Sequence, residues 1–327
     1  MRILVTGGAG YIGSITATKL IQKGHNVIIL DNLEKGHETT LDKIMRIAGE
    51  FEFVKCDLRN KKELELALNE VFFDTVIHFA AYIEVGRSVQ EPEAFFENNY
   101  NGTKNLLEVL TAKKVRKFIF SSTAAVYGHP DKTPISETAP LRPNNPYGES
   151  KVKVEKLLEE YASQGKVDSI RLRYFNPAGS FEGQIGEEHS PETHLIPLIF
   201  KAAKKERDKL YIFGNDYDTK DGTPIRDYIH VLDLVDAHLV ALEYVMNIQG
   251  TDVFNVGTGK GYTVKEIFKI AQQVIGKDIP YEITERREGD SRALVADPAK
   301  IEALLKWKAQ YQLRDIIQSA WDFERQL

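Results

Sequence analysis

Short apolar runs alternate with longer periodic segments through the first half of the chain. Arg2–Thr6, Asn26–Asp31, Glu52–Lys55, 75–79, 117–121 and 167–174 have the length and composition of buried strands. Between them, 11–23, 61–70, 102–113 and 147–164 space their apolar residues at helical intervals. Buried strands alternating with helices predict an α/β fold, a doubly wound parallel sheet covered on both faces. Past Tyr174 the pattern breaks up. The stretch 175–186 is rich in Gly, Pro and Asn and reads as loop. Segments 195–205 and Val264–Ile275 read as helices of a smaller C-terminal α/β domain, and 226–239 as strand then helix. The expected division is therefore 1–174 and 175–327, with 226–256 packing back onto the first domain. No repeat or long Pro/Ser linker separates them, which predicts a compact boundary.

Composition narrows the class. The 327 residues carry 43 basic and 48 acidic side chains, a formal charge of −5, with 42% apolar and 28% charged residues. That is the composition of a soluble globular chain, and its mild acidity gives no reason to expect nucleic acid or an anionic membrane as partner. The basic clusters 113–117 and 201–209 lack interleaved aromatics and read as solvated helix faces. Apolar runs such as 27–30 are far too short to cross a bilayer, and the N-terminus lacks the apolar stretch of a signal peptide. With a single cysteine, Cys56, no internal disulfide can form. A cytoplasmic location is expected. The eight histidines show no paired metal spacing, so no metal is expected.

Candidate chemistry begins at Val5-Thr6-Gly7-Gly8-Ala9-Gly10-Tyr11-Ile12-Gly13, which follows a strand and opens a helix. Glycines permit the tight turn and let backbone N–H groups approach a pyrophosphate at the positive end of the helix. The spacing is Gly-x-x-Gly-x-x-Gly rather than the commonest dinucleotide fingerprint. Asp31 ends the next strand, where a carboxylate accepts from a ribose diol and repels a 2′-phosphate, so NAD is expected over NADP. Asp57, after the third strand, is a candidate for the adenine end.

Tyr147 and Lys151 stand four apart at the start of a helix and share a face. Tyrosine titrates near about 10, so serving as a base near neutrality requires a loss of roughly 3 units. A nearby ammonium and a positively charged nicotinamide can supply that stabilisation of the phenolate. The hydroxyls Ser121, Ser122 and Thr123 end an apolar strand, where an open parallel sheet places its ligand site.

These residues resemble those of the extended short-chain dehydrogenase/reductase family, and within it the sugar-nucleotide epimerases. The resemblance runs through nearly the whole chain: the glycine loop, Asp31-Asn32-Leu33, His78-Phe79-Ala80-Ala81, Asn98-Asn99-Tyr100-Asn101-Gly102-Thr103, the stretch 120–128, Pro146 to Lys151, Arg173 to Gly179, Phe213 to Tyr217, Arg226 to His230 and Arg286 to Asp290. It implies a Rossmann-like NAD-binding domain followed by a sugar-nucleotide-binding domain. It further implies that UDP-galactose and UDP-glucose are interconverted through a 4-keto sugar, with Tyr147 as general base and then acid, Thr123 on the 4-oxygen, and Lys151 on the nicotinamide ribose. By the same resemblance Gly7, Gly10, Tyr11, Ile12, Gly13, Asp31, Asn32, Asp57, Leu58, Phe79, Ala80, Ala81, Asn98, Ser121 and Tyr174 join Tyr147 and Lys151 at the cofactor. Phe175, Asn176, His194, Leu195, Phe213, Arg226, Arg287 and Asp290 join Thr123 and Tyr147 at the UDP-sugar. Ala124 and Ala125 follow Thr123, leaving no acid there for the water elimination or decarboxylation of sibling enzymes. Leu294 sits where large and small residues vary with acceptance of an N-acetyl group, which keeps N-acetylated or uronic UDP-sugars, or a net sugar-nucleotide oxidoreduction, as alternatives. A homodimer built on the 102–113 and 147–164 helices is also implied.

Overall fold

A computed structural model describes residues 1–287 and 289–327. The chain divides into two compact units, the first made of Met1–Tyr127, Leu141–Arg173 and Val235–Phe254, the second of Gly128–Pro140, Tyr174–Leu234 and Asn255–Leu327.

The first unit is built on six strands, β1 (Arg2–Thr6), β2 (Asn26–Asp31), β3 (Glu52–Lys55), β4 (Thr75–His78), β5 (Lys117–Thr123) and β6 (Asp168–Tyr174). With the strand Thr251–Val256 they form a seven-stranded parallel sheet in the order Thr251–Val256, β6, β5, β4, β1, β2, β3. Val5 sits in register with Ile29 on one side and Ile77 on the other. Such runs need no polar face because helices cover both sides of the sheet. Leu4, Ile28, Leu30, Leu106, Leu110, Phe118, Leu158 and Val167 belong to one buried cluster that fixes the Gly102–Ala112 and Pro146–Ser163 helices against the sheet. The strand order reverses between β1 and β4, the position at which an open parallel sheet takes its ligand at the carboxyl ends.

A buried polar strut crosses this reversal. His78 Nδ1 lies 2.6 Å from Thr6 Oγ1, and its Nε2 lies 2.8 Å from Thr103 Oγ1. Burial, helped by the Lys151 charge, pushes His78 down to about 3, so the ring is neutral and accepts as well as donates.

The second unit holds the parallel pair Leu210–Phe213 and Tyr281–Thr284, and a strand Ile225–His230 at the centre of a small mixed sheet. Its own core gathers Ile196, Phe200, Ile212, Ile267, Phe268 and Ile316.

The structure corrects the expected division in two places. Gly128–Pro140 belongs to the second unit because Ile135 N–H donates to Val295 O at 2.8 Å and Asn255 Nδ2 donates to Ile135 O at 2.7 Å. Residues 226–234 stay there too, since Ile225–His230 pairs with Asn176–Ala178, Gly261–Thr263 and Ala293–Leu294; only Val235–Phe254 joins the first unit. The stretch 175–186 is not all loop. Asn176–Ala178 is a strand, Pro177 included, and Ser180–Phe181 pairs antiparallel with Ile185–Gly186. Proline is tolerated in such a short strand with a single neighbour, where no ladder partner needs its missing N–H.

Candidate active site

The glycine loop takes its shape from steric exclusion. Gly7 has φ +71°, and a Cβ there would meet Ala80 N at 2.6 Å; a Cβ on Gly13 would lie 2.2 Å from Gly7 O. The helix Tyr11–Gln22 starts at Gly10 with no side-chain cap and no acidic residue in its first turn, which leaves its leading N–H groups for an anion. Gly13→Ala should therefore displace the loop, destabilise the protein by about 1–3 kcal/mol and strip bound NAD. Gly10→Ala, whose Cβ would meet only Gly7 O at 3.3 Å, should do much less. Thermal melting and the NAD released on denaturation measure both effects.

Asp31 is buried at the end of β2. Its Oδ2 accepts from Ala9 N at 3.0 Å and its Oδ1 from Leu33 N at 2.9 Å, so the carboxylate is fixed against the glycine loop. Burial raises its pKa, against the pull of those N–H groups. A cleft of about 330 Å³ opens beside it, lined by Asn32, Glu34, Cys56, Asp57 and Arg59 among others. Asp57 is engaged there: Arg59 holds it down at about 2 through hydrogen bonds, and Asn32 Nδ2 donates to it at 3.0 Å. Leu58 is buried in the first unit's core. Uncapped helix N-terminus, glycine-rich loop, fixed carboxylate and cleft together fit a dinucleotide.

The catalytic candidates sit at the end of β5 and on the helix Pro146–Ser163. Pro146 at the first turn and the Asn145 side chain, which accepts from Gly148 N at 2.9 Å, start that helix just before Tyr147. β5 runs to Thr123, two residues past its expected end. Thr123 Oγ1 accepts from Ala125 N at 3.1 Å and hydrogen-bonds the Tyr147 phenol. Lys151 Nζ donates to Ser121 O at 2.8 Å, lies 4.9 Å from the Phe120 ring centre and 5.9 Å from that of Tyr147. The structure thus brings Ser121, Thr123, Tyr147 and Lys151 together.

Their protonation follows their burial. Burial raises Tyr147 to about 12 despite the Thr123 hydrogen bond, and lowers Lys151 to about 7 despite Glu155. Desolvation penalises the phenolate more than the Thr123 hydrogen bond favours it, and the Lys151 amine is directed to a backbone carbonyl.

Sequence spacing missed the support beneath these groups. Glu155, one turn beyond Lys151, accepts from Ser122 Oγ at 2.6 Å and from Arg173 Nε at 2.9 Å, while Arg173 Nη1 donates to Tyr127 Oη at 2.9 Å. This buried network fixes the strand end carrying Thr123. Its available signal was the Lys151–Glu155 spacing on one helix face together with an arginine inside a strand. Asn98, expected at the cofactor, is half-buried and donates to Asn99 Oδ1 at 3.0 Å. Asn99 is the buried one: its Oδ1 accepts from Tyr82 N at 2.7 Å, and its Nδ2 donates to Tyr82 O and Ser150 Oγ. Phe79, Ala80 and Ala81 follow β4 directly, against Gly7.

In the second unit, Tyr174 and Phe175 are buried, and Phe175 N–H donates to Val256 O at 3.2 Å. Asn176 opens its strand opposite Tyr228. Arg226 lies in register with Leu294, donates to Ser291 O at 2.8 Å and pairs with Asp290 at 3.5 Å. Arg287 packs 4.4 Å over the Phe213 ring centre, and Asp290 N–H donates to Arg287 O at 3.2 Å. Arg226, Arg287, Asp290 and Phe213 therefore form one cluster, and two guanidinium forks there suit a diphosphate. His194 and Leu195 sit apart at the start of the Leu195–Ala203 helix.

A strand, glycine-rich loop and helix closed by a buried acid, with threonine, tyrosine and lysine at the neighbouring strand end, define an extended short-chain dehydrogenase/reductase. The chain belongs to the family described as GDP-mannose 4,6 dehydratase, whose model matches residues 4–320. Among its relatives is the UDP-glucose 4-epimerase of Halalkalibacterium halodurans, 44% identical and aligned over 100% of this chain and 96% of that protein. The UDP-glucose 4-epimerase of Bacillus subtilis is 41% identical over 99% of this chain and 97% of its own. In structure, the chain superposes with TM-score 0.95 and 38% identity on the UDP-glucose 4-epimerase of Bifidobacterium longum in complex with NAD⁺ and UDP, covering 100% of this chain and 98% of that one.

Proposed function

We propose that this protein interconverts UDP-galactose and UDP-glucose by oxidation and reduction at sugar carbon 4, with no net redox change. The observation that carries the reading is the Thr123–Tyr147–Lys151 assembly at the strand end beside the glycine loop, in a chain with full-length kinship to UDP-glucose 4-epimerases. NAD, when bound, supplies the hydride acceptor and donor. Tyr147 takes the proton of the 4-hydroxyl and later returns it to the 4-oxygen, so the proton count closes over the cycle. Thr123 holds that oxygen, and Lys151 binds the nicotinamide ribose while its charge favours the phenolate. Gly7, Gly10 and the N–H groups of Tyr11, Ile12 and Gly13 cradle the pyrophosphate, and Asp31 takes the adenosine ribose diol. Asn32, Asp57 and Leu58 flank the adenine, and Phe79, Ala80, Ala81, Asn98, Ser121 and Tyr174 complete the cofactor's surroundings. Arg226 and Arg287 bind the diphosphate, and Asp290 the uridine ribose. Asn176, Phe175, His194, Leu195 and Phe213 hold the rest of the UDP-sugar. Small, uncharged Ala124 and Ala125 leave the 4-keto sugar no neighbouring acid for water elimination.

Homodimerisation through the Gly102–Ala112 and Pro146–Ser163 helices belongs to this reading, as does a cytoplasmic location. Half-buried Phe96 and Tyr100, which precede the first of these helices, and Tyr161 on the second supply aromatic surface for such an interface. Among the described residues no helix is long and apolar enough to cross a membrane.

The test is incubation of the purified protein with UDP-galactose, without added cofactor, followed by separation of the nucleotide sugars. UDP-glucose is expected to appear with no lasting change in NADH absorbance. No conversion, even with NAD added, would refute the reading, and stoichiometric NADH formation would replace it with a net oxidoreductase.

A further inference from the structure

Between the strand Ile185–Gly186 and the helix Leu195–Ala203, the chain carries Glu187, His189, Glu192 and His194. Nothing in their linear spacing matches a familiar metal motif. Folding nevertheless gathers them, so that one ligand-type atom from each lies within 4.8 Å of the others. Glu187 Oε1 is 3.2 Å from His189 Nδ1 and 2.5 Å from His194 Nδ1, and Glu192 Oε1 is 3.6 Å from His194 Nδ1. The Glu187 and Glu192 side chains are only 10% and 3% exposed. His189 Nδ1 is buried and makes no hydrogen bond of acceptable geometry, even with the Glu187 oxygen nearby. An imidazole nitrogen left this way in a polar cluster calls for a partner.

We propose that Glu187, His189, Glu192 and His194 form a four-ligand site for a divalent cation of the zinc class. Two imidazole nitrogens and two carboxylate oxygens match zinc's preferred donors, whereas calcium and magnesium favour oxygen alone. With zinc–ligand bonds of about 2.0–2.1 Å, tetrahedral geometry separates neighbouring ligand atoms by about 3.3 Å. The 3.2 and 3.6 Å separations already fit, and the 2.5 Å Glu187–His194 contact would open to make room. The carboxylate of Glu192 is oriented by two backbone donors, accepting from Thr193 N and His194 N at 2.7 Å each, the outer-shell fixing that ligating carboxylates require. Two nearly buried carboxylates side by side also need a compensating positive charge. A cation or two imidazolium rings can supply the charge, and experiment separates these. The cation would tie the loop to the first turn of the Leu195–Ala203 helix.

The test uses the intact NAD-bearing protein, treated with EDTA, desalted and titrated with zinc against a chromophoric chelator, with metal content read by plasma mass spectrometry. One zinc per chain is expected, with a dissociation constant in the micromolar range or below and a rise in melting temperature. His189→Gln and Glu192→Gln, each shown folded by circular dichroism, should weaken binding at least about tenfold. Substoichiometric zinc in the wild type would overturn the proposal and leave the cluster as ion pairs. Equal binding by wild type and both variants would also overturn it, by placing the metal elsewhere.

Discussion

Tyr147→Phe is expected to lower turnover by about 10³-fold, within the range a positioned acid–base group contributes, and to leave the fold in place. Only the hydroxyl is removed. The ring keeps its place beside Lys151, and the Asn145 cap and Pro146 that start its helix are untouched. The lost hydrogen bond is the one to Thr123, whose Oγ1 still accepts from Ala125 N, so the stability cost should stay near about 1 kcal/mol. A chain of this size should then melt within about 4 °C of the wild type. The catalytic loss is large because burial sets the phenol near 12. Bringing it near 7 takes roughly 5 units, about 7 kcal/mol of preferential phenolate stabilisation. Initial rates beside melting curves check this. A variant that melts normally and turns over within tenfold of wild type would remove Tyr147 from the proton path.

Much of this site was legible because local chemistry dictated it. The strands Arg2–Thr6 and Asn26–Asp31 carry the apolar runs that a strand covered on both faces needs, the edge strand Glu52–Lys55 a shorter Phe53-Val54 run, and the structure places all three at the expected bounds. Gly7 and Gly13 are fixed by contacts of their own neighbourhood, and the Tyr147–Lys151 pair by helical geometry. Polar helix segments were harder. Glu38–Ala48 buries only Thr40 and Ile44 and is polar over most of its surface, so it offers few apolar residues to read. The turns from Val85 to Asn101 are interrupted by Pro92 and end in Asn98, Asn99 and Asn101, residues of weak helix propensity, and they hold through tertiary bonds such as those of Asn99. The Glu155–Arg173–Tyr127 network spans a helix, a strand and a turn, and no spacing rule joins three such distant positions. The same holds for the cluster at Glu187: its four ligand-type groups converge only once the chain folds.

Lys151→Met should abolish most activity while making the protein stripped of NAD more stable at neutral pH. Lys151 is 3% exposed, and burial lowers its pKa from 10.5 to about 7. Below pH 7 the amine is charged in both folded and unfolded chains, and the folded state bears the whole cost of burying the charge. Between about 7 and 10.5 the folded amine is neutral while the unfolded one is charged. The unfolded state then holds the extra proton, and stability rises with pH. Above 10.5 both are neutral and the cost is gone. A shift of 3.5 units corresponds to about 5 kcal/mol at most. Methionine keeps the aliphatic stem over Phe120 but leaves Ser121 O without its donor, which returns about 1 kcal/mol of that gain. Denaturant melts of both proteins without NAD should show the variant ahead by a few kcal/mol at pH 6.5, with the gap closing steadily toward pH 10. A constant gap would place the ammonium in contact with solvent in the folded state. A variant less stable at every pH would mean that the Ser121 hydrogen bond and the Glu155 attraction outweigh the cost of burial, and that Lys151 is kept for the fold as well as for the reaction.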